Sequence, residues 1–230
     1  MRTGNCEQPG PADPYRAERE AMVENQIRRR GLNDERVLRV MASIPRHEFV
    51  PCASRGLAYA DEPLGIGGGQ TISQPFIVAA MTAALKLAGA ERVLEIGTGC
   101  GYQSAVLALL AREVYSVELR SDLAQSAAER LKRLGFENVH VHCGDGSVGL
   151  KEFAPFDAIL VAAAAPAVPS SLLEQMGDGG RLIAPVGGSE DHQQLILIIR
   201  HDGEYTQQRR EFCRFVPLVG RHGRKLGELL

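Results

Sequence analysis

The fold of this chain is decided by the segment Arg92-Val93-Leu94-Glu95-Ile96-Gly97-Thr98-Gly99-Cys100-Gly101-Tyr102. Its aliphatic run predicts a strand over 92–96, the alternate glycines predict a tight turn, and the apolar periodicity of residues 102–110 predicts a helix. Glycine in such a turn permits backbone angles closed to other residues and lets a ligand approach the main chain. The turn opens at a helix N-terminus, where unpaired N–H groups suit polar or anionic ligands. The segment therefore indicates a nucleotide-like pocket.

The spacing of the glycines indicates the kind of ligand. A dinucleotide fingerprint, GxGxxG, requires a third glycine at position 102, which is Tyr102 here. The pattern Glu95-x-Gly97-x-Gly99-x-Gly101 instead resembles motif I of the S-adenosylmethionine-dependent methyltransferases. The alternative is a glycine-rich turn that only packs a helix against a strand. Glu95 either faces the amino group of the cofactor's methionine portion or is a strand terminus behind the site.

Composition favours a globular α/β protein. The 230 residues suffice for one domain with a substantial core. We expect residues 1–14 to be a disordered tail and 15–230 a single domain, with a helical and loop cap over 15–75 and the binding core over 76–230. The formal net charge of −2 gives no electrostatic reason to bind nucleic acid. The apolar run 158–165 is too short to cross a membrane.

The cysteines and histidines predict no metal and no disulfide framework. Five scattered cysteines, never in C-x-x-C spacing, indicate a reducing compartment. Without an apolar signal segment in residues 1–14, we expect a cytoplasmic protein. We also expect a monomer. His140 and His142 share a strand face but have no further ligand at a recognised spacing. Cys143 is expected to be a small core residue.

Two helices are predicted before the first strand. The first covers residues 15–30 and ends at Gly31, and the second is capped by Asn33 or Asp34 and ends before Pro45. These helices form a cap outside the sheet.

Residues 45–51, bracketed by prolines, are expected to be extended. Residues 59–70 are predicted to be a glycine-rich loop, and we interpret residues 65–69 within it as the hinge of a lid. A helix over 76–87 follows, with Ser73 as its N-cap and Pro75 in its first turn.

The rest of the chain alternates between strands and helices. Further strands are predicted over 113–118, 138–143, 156–161 and 181–186, and further helices over 121–134 and 170–176. Residues 194–200 and 205–216, joined at Asp202-Gly203, predict an antiparallel hairpin. The alternation is typical of a doubly wound, mostly parallel sheet.

Two acidic residues follow predicted strands at the edge where α/β sheets bind ligands. Glu118 ends the second strand, 21 residues after Gly97, where a carboxylate accepts ribose hydroxyl protons; the alternative is a solvent-facing glutamate. Asp145, in the turn Gly144-Asp145-Gly146, either accepts the exocyclic amine of adenine or stabilises an Asx turn.

Several segments together resemble the protein-L-isoaspartate (D-aspartate) O-methyltransferase family over nearly the whole chain. They are Gly69-Gln70-Thr71-Ile72-Ser73-Gln74-Pro75, Arg92 to Gly99, Gly144-Asp145-Gly146, Ala154-Pro155-Phe156-Asp157, Gly179-Gly180-Arg181-Leu182 and Phe215-Val216-Pro217-Leu218. The resemblance implies a Rossmann-like methyltransferase fold with an N-terminal helical cap and a C-terminal hairpin. It also implies methyl transfer from S-adenosylmethionine to the free α-carboxylate of L-isoaspartyl and D-aspartyl residues in damaged proteins and peptides, which initiates their repair.

The resemblance also assigns residues. Ser73 matches the family's active-site serine. The matching cofactor contacts are Thr71, Gln74, Gly97, Gly99, Gly101, Glu118 and Asp145. We also expect Glu95, Thr98 and Gly146 to belong to the cofactor site. The chain departs from the family at Cys100, commonly Ser, and at Gly65 and Gly68 in the loop before Gln70.

Three other functions fit parts of the pattern. A methyltransferase for a small oxygen or nitrogen nucleophile would share motif I, but residues 71–75 argue against it. A cofactor-binding interaction protein without catalysis is disfavoured by the intact Ser73 and Glu118. A dehydrogenase is disfavoured by Tyr102, and a lack of NAD binding would exclude it.

Overall fold

The N-terminal cap is helical in the computed structural model, which describes residues 13–188 and 193–224. Helix α1 spans Arg16–Met22 and continues as a π turn and a 3-10 turn up to Gly31, whose φ is 91°. Helix α2 spans Glu35–Ser43, and Asp34 rather than Asn33 is its N-cap, accepting hydrogen bonds from the Arg36 and Val37 amides of the first turn. Of the predicted tail, only residues 13 and 14 are described, and Asp13 pairs with Arg19 at 2.6 Å.

Two predictions for the segments after α2 are wrong. Residues 46–49 form a 3-10 turn instead of an extended segment, because the prolines at 45 and 51 constrain only themselves and the residue before each. Residues 59–70 are not simply a loop, since strands β1 (Leu64–Gly67) and β2 (Gln70–Ile72) pair as an antiparallel hairpin. Glycines at 67, 68 and 69 all have positive φ, so their run forms the turn of this hairpin.

Helix α3 spans Pro75–Leu85 and begins differently from the prediction. Pro75 is its first residue as expected, but the N-cap is Gln74, and no side chain caps the helix. The prediction that Ser73 is the N-cap is therefore wrong.

The central sheet has seven strands, in the order β5-β4-β3-β6-β7-β8-β9. The strands are β3 (Arg92–Ile96), β4 (Glu113–Glu118), β5 (Val139–Cys143), β6 (Phe156–Val161), β7 (Met176–Val186), β8 (Gln193–His201) and β9 (Glu204–Cys213). The first five are parallel, and β8 and β9 form the predicted antiparallel hairpin. Helices α4 (Tyr102–Ala108), α5 (Ser121–Arg133) and α6 (Ser170–Leu173) occur among the parallel strands. Strand β7 begins five residues before its predicted start at 181.

Two apolar clusters cover the two faces of this sheet. On one face, Val93 and Val114 pack with α3, α4 and the N-terminal cap. On the other face, Leu94 and Ile159 pack with α6. Neighbouring residues of β3 point to opposite clusters, so burial on both faces explains its continuous apolar run. The expected doubly wound fold is confirmed.

Edge strand β5 is more exposed than we predicted. Cys143 is exposed, so its expected place in the core is wrong; an edge strand is covered by fewer neighbours than a central strand. His140 and His142 lie on one face and pack on the ring of Tyr115, at centroid distances of 5.0 and 6.3 Å. Among the described residues, none of the helices is both long enough and apolar enough to traverse a bilayer.

Candidate active site

A cavity of about 400 Å³ lies at the carboxyl ends of β3, β4 and β6. Its wall includes most of the sequence-predicted site residues, namely Thr71, Ser73, Gln74, Gly97, Thr98, Gly99, Glu118 and Gly146. Glu95, Gly101 and Asp145 are absent from this wall. Ser73 and Gln74, which follow the β1–β2 hairpin, therefore line the same cavity as the glycine turn, although more than twenty positions separate the two segments in the sequence.

The glycine turn brings bare main chain to the cavity. Gly97 has φ of 93°, and a Cβ there would lie 3.4 Å from the Cβ of Ala162. Gly101, with φ of 87°, is the N-cap of α4, and a Cβ there would lie 3.2 Å from Leu131. Gly97 therefore allows the turn to pack closely against the residue after β6, and Gly101 allows close packing of α4 against α5.

Glu118 ends β4 with its carboxylate tied to the glycine turn. Its Oε2 accepts a hydrogen bond from the Gly99 amide at 2.9 Å, and its Oε1 accepts one from the Arg120 amide at 3.0 Å. The residue is only 7% exposed, so the alternative of a solvent-facing glutamate does not hold. A carboxylate has about four acceptor positions, which leaves capacity for ligand hydroxyls.

Glu95 is fully buried behind the cavity wall. Its Oε2 accepts hydrogen bonds from the hydroxyls of Ser104 and Ser116, the latter at 2.6 Å, while its Oε1 has no partner within the described chain. Burial raises the pKa of Glu95 to about 7. Ser116 also shares a 2.6 Å hydrogen bond with Thr98, which does line the cavity. Glu95 thus supports the turn from behind.

Asp145 stabilises the turn after β5. Its Oδ1 accepts hydrogen bonds from the amide and hydroxyl of Ser147 at 2.9 and 2.7 Å, and its Oδ2 accepts one from the Arg221 amide at 2.7 Å. Burial acts to raise the pKa of Asp145, but these hydrogen bonds outweigh it and lower the pKa below its usual value. The carboxylate therefore has the Asx-turn role considered from the sequence, and Gly146 reaches the cavity wall.

The segment of the proposed catalytic serine is fixed mainly through its backbone. Ser73 is half-buried, and its carbonyl accepts a hydrogen bond from the Arg46 guanidinium at 2.8 Å. The side chain of Gln74 donates to the Asp61 carbonyl at 2.9 Å. Among the described residues, the Ser73 hydroxyl has no hydrogen-bond partner, so it is available to a ligand in the cavity.

Sequence reasoning missed the C-terminal wall of the cavity. Residues 212–219 line it, and the 79% exposed side chain of Phe212 belongs to this stretch. Leu218 donates to the Ala164 carbonyl at 2.7 Å, which holds the stretch against the end of β6. The available signal was the segment Phe215-Val216-Pro217-Leu218, which we used only for the family resemblance.

The cavity fits an adenosine-containing methyl donor. Main-chain glycines border it on one side, the buried Glu118 carboxylate lies at the end of the next strand, and Gly146 lies at the adjoining strand end. Such a site at the carboxyl edge of a doubly wound sheet defines an S-adenosylmethionine-dependent methyltransferase.

Comparison with known proteins identifies the family. The family model of protein-L-isoaspartate(D-aspartate) O-methyltransferase (PCMT) matches residues 17–223. The chain belongs to this family.

Relatives and solved structures agree with that assignment. A protein-L-isoaspartate O-methyltransferase of Methanoculleus marisnigri is 52% identical over 92% of this chain and 96% of its own length. Another, from Marinobacter nauticus, is 54% identical over 89% of this chain and 94% of its own length.

Among solved structures, a protein-L-isoaspartate O-methyltransferase superposes with a TM-score of 0.79 at 31% identity, covering 89% of this chain and 67% of the other. A Plasmodium falciparum protein of this type, in complex with S-adenosyl-L-homocysteine, superposes with a TM-score of 0.76 at 26% identity, covering 87% and 98%. The expected family, fold class, methyl donor and carboxyl methylation that initiates repair of isoaspartyl proteins are confirmed.

Proposed function

We propose that this chain holds S-adenosylmethionine across the carboxyl ends of β3, β4 and β5, and that it places the acceptor carboxylate of an isoaspartyl residue beside Ser73. The observation that carries this arrangement is a single cavity whose wall contains both the glycine turn and Ser73. When bound, the donor supplies a methyl group activated by a positively charged sulfonium. The residues of the chain have to bind it, orient it and exclude water.

The cofactor contacts follow from which groups reach the cavity. The main chain of Gly97, Thr98 and Gly99 gives a surface without bulky side chains, next to the N-terminus of α4. Glu118 accepts the ribose hydroxyl protons, and Gly146 borders the adenine. Thr71 and Gln74 contact the donor from the side of the β1–β2 hairpin.

Three residues act from behind the wall. Gly101 allows α4 to begin at the turn, and Glu95 supports the turn through Ser116 and Thr98. Asp145 holds the turn that carries Gly146. Contacts of Glu95 with the methionine amino group and of Asp145 with the adenine amine stay predictions.

The acceptor needs no general base. A carboxylate with a pKa near 4 is ionised at pH 7, so the nucleophile is already formed. Alignment of the oxygen with the methyl group, together with exclusion of water, then accounts for the catalytic task of the protein. We propose that the Ser73 hydroxyl donates a hydrogen bond that orients the acceptor carboxylate.

The substrates are isoaspartyl-containing proteins and peptides. We expect a monomer in which residues 15–230 form one domain, with a cap over 15–75. The net charge of −2 supports a partner other than nucleic acid. Four free cysteines among the described residues support the reducing environment of the cytoplasm.

The decisive experiment supplies radiolabelled S-adenosylmethionine and two peptides that differ only in an isoaspartyl or an aspartyl linkage. We expect base-labile methyl ester on the isoaspartyl peptide alone. Equal labelling of the two peptides, or none, would contradict the proposed substrate. Crystals soaked with the demethylated donor should show it against Gly97 and Glu118.

A further inference from the structure

Arg46 is a fully buried cation next to the proposed catalytic serine. Its side chain is 0% exposed, although arginine is rarely buried completely. The Nε group donates to the Ala58 carbonyl at 2.7 Å, and Nη2 donates to the Ser73 carbonyl at 2.8 Å. The guanidinium carbon lies 4.7 Å from the ring centroid of Tyr102. Arg46 therefore joins the cap to both a cavity-lining serine and the first residue of α4.

The charge of Arg46 is not balanced by a carboxylate. Within residues 13–188 and 193–224, no acidic side chain forms an ion pair with it, and its Nη1 group has no hydrogen-bond partner. Desolvation lowers the pKa of Arg46, yet a guanidinium stays protonated in proteins. A buried charge without a counter-charge is unfavourable for stability, so packing alone does not explain why arginine is placed here.

An acceptor carboxylate in the cavity would lie close to the charge of Arg46. Ser73 and Tyr102 both line the cavity, and Arg46 lies directly behind them. By covalent geometry the carbonyl and hydroxyl oxygens of one serine are within about 4 Å, so Nη2 is within about 7 Å of the hydroxyl. At such a distance, in a poorly solvated site, a positive charge attracts an anionic acceptor.

We propose that Arg46 is a positioning residue for methyl transfer. Its hydrogen bond to the Ser73 carbonyl holds the backbone of that residue so that the hydroxyl faces the acceptor, and its hydrogen bond to the Ala58 carbonyl fixes the guanidinium. Its charge favours a carboxylate over a neutral group in that place. The inference rests on the proposed role of Ser73. It predicts that changes at Arg46 affect the peptide substrate more than the methyl donor.

Arg36 provides a matched control for a purely structural role. It also uses its guanidinium to bind a backbone carbonyl, with Nη1 donating to Leu87 at 2.6 Å over a long sequence separation. Neither Arg36 nor Leu87 lines the cavity. Losing this tether should lower stability without affecting the acceptor.

The experiment compares Arg46→Met, Arg46→Lys and Arg36→Met in the full chain. The readouts are thermal stability, the Kd of S-adenosylhomocysteine, and kcat and KM for an isoaspartyl peptide. For Arg46→Met we expect kcat/KM to fall at least about tenfold, which corresponds to 1.4 kcal/mol, with the Kd of S-adenosylhomocysteine changed less than about twofold. Arg46→Lys keeps the charge but not both hydrogen bonds, and should fall about threefold. Arg36→Met should keep kcat/KM within about twofold of wild type.

The inference is overturned if Arg46→Met folds and its kcat/KM matches that of Arg36→Met. Should Arg46→Met fail to fold, Arg46→Lys decides: kcat/KM equal to wild type refutes the positioning role, and a lower value with unchanged S-adenosylhomocysteine binding supports it. A wild-type enzyme that does not methylate the isoaspartyl peptide would refute the proposed function itself, which is a separate result.

Discussion

The hydroxyl of Ser73 can be removed with little effect on folding. Within the described residues it has no hydrogen-bond partner, and α3 is preceded by Gln74 at the N-cap. Ser73→Ala therefore removes no cap, a loss that would otherwise cost about 1 kcal/mol. The contact with Arg46 is made by the backbone carbonyl, which alanine retains. We expect the free energy of unfolding to change by less than about 0.5 kcal/mol.

The same substitution should strongly affect catalysis. A hydrogen bond to a charged group contributes about 1.5–3 kcal/mol. If Ser73 donates such a bond to the acceptor carboxylate, its loss lowers kcat/KM for an isoaspartyl peptide by about 10- to 150-fold, because 1.4 kcal/mol corresponds to a factor of ten. Binding of S-adenosylhomocysteine should change less than about twofold.

The assay measures initial rates of methyl transfer together with urea unfolding of the same preparation. Ser170→Ala is the control, since Ser170 is an exposed serine at the start of α6 and does not line the cavity. It should leave kcat/KM unchanged. Full activity of Ser73→Ala would refute the catalytic role, and loss of stability without loss of rate would assign Ser73 a structural role.

Three further changes test the rest of the site. Glu118→Gln should weaken S-adenosylhomocysteine binding about tenfold, measured by calorimetry, because a charge-assisted acceptor for the ribose hydroxyls is lost. The control Glu113→Gln, at the other end of β4, should leave this binding unchanged. Equal effects of the two substitutions would contradict the ribose role of Glu118. Because burial raises the pKa of Glu95 from 4.5 to about 7, the stability that its protonated form contributes is complete below pH 4.5 and is lost as the pH rises through about 7. The stability of Glu95→Gln relative to wild type should therefore increase over that window in urea titrations, and a constant difference would refute it. The Arg120 guanidinium donates to the Gly68 carbonyl at 3.2 Å, which ties the β1–β2 hairpin to the residues after β4. If this hairpin closes over bound ligands as a lid, protease should cleave it more slowly when S-adenosylhomocysteine and peptide are bound. An unchanged rate of cleavage would contradict the lid hypothesis.

Sequence patterns predicted the buried parallel strands best. Strands β3 and β4 have the predicted bounds because central strands covered on both faces are rich in β-branched and other apolar residues. The β1–β2 hairpin was missed, since short strands rich in glycine have no apolar alternation to indicate pairing. Cys143 was misplaced because edge position in a sheet depends on strand order, which local sequence does not encode.

By itself, the sequence determined the class of this protein: alternate glycines after an apolar strand require a particular backbone turn, and that requirement is local. Only the tertiary structure decided which predicted residues share the cavity. Glu95 and Asp145 do not line it; one oxygen of Glu95 accepts a hydrogen bond from Ser116, and Asp145 accepts hydrogen bonds from Ser147 and the Arg221 amide. Arg46 and Ser73 are 27 positions apart in the sequence, and they meet because the 3-10 turn that carries Arg46 packs against the segment of Ser73. Side-chain direction and burial depend on partners distant in sequence, so neither can be read from a local pattern.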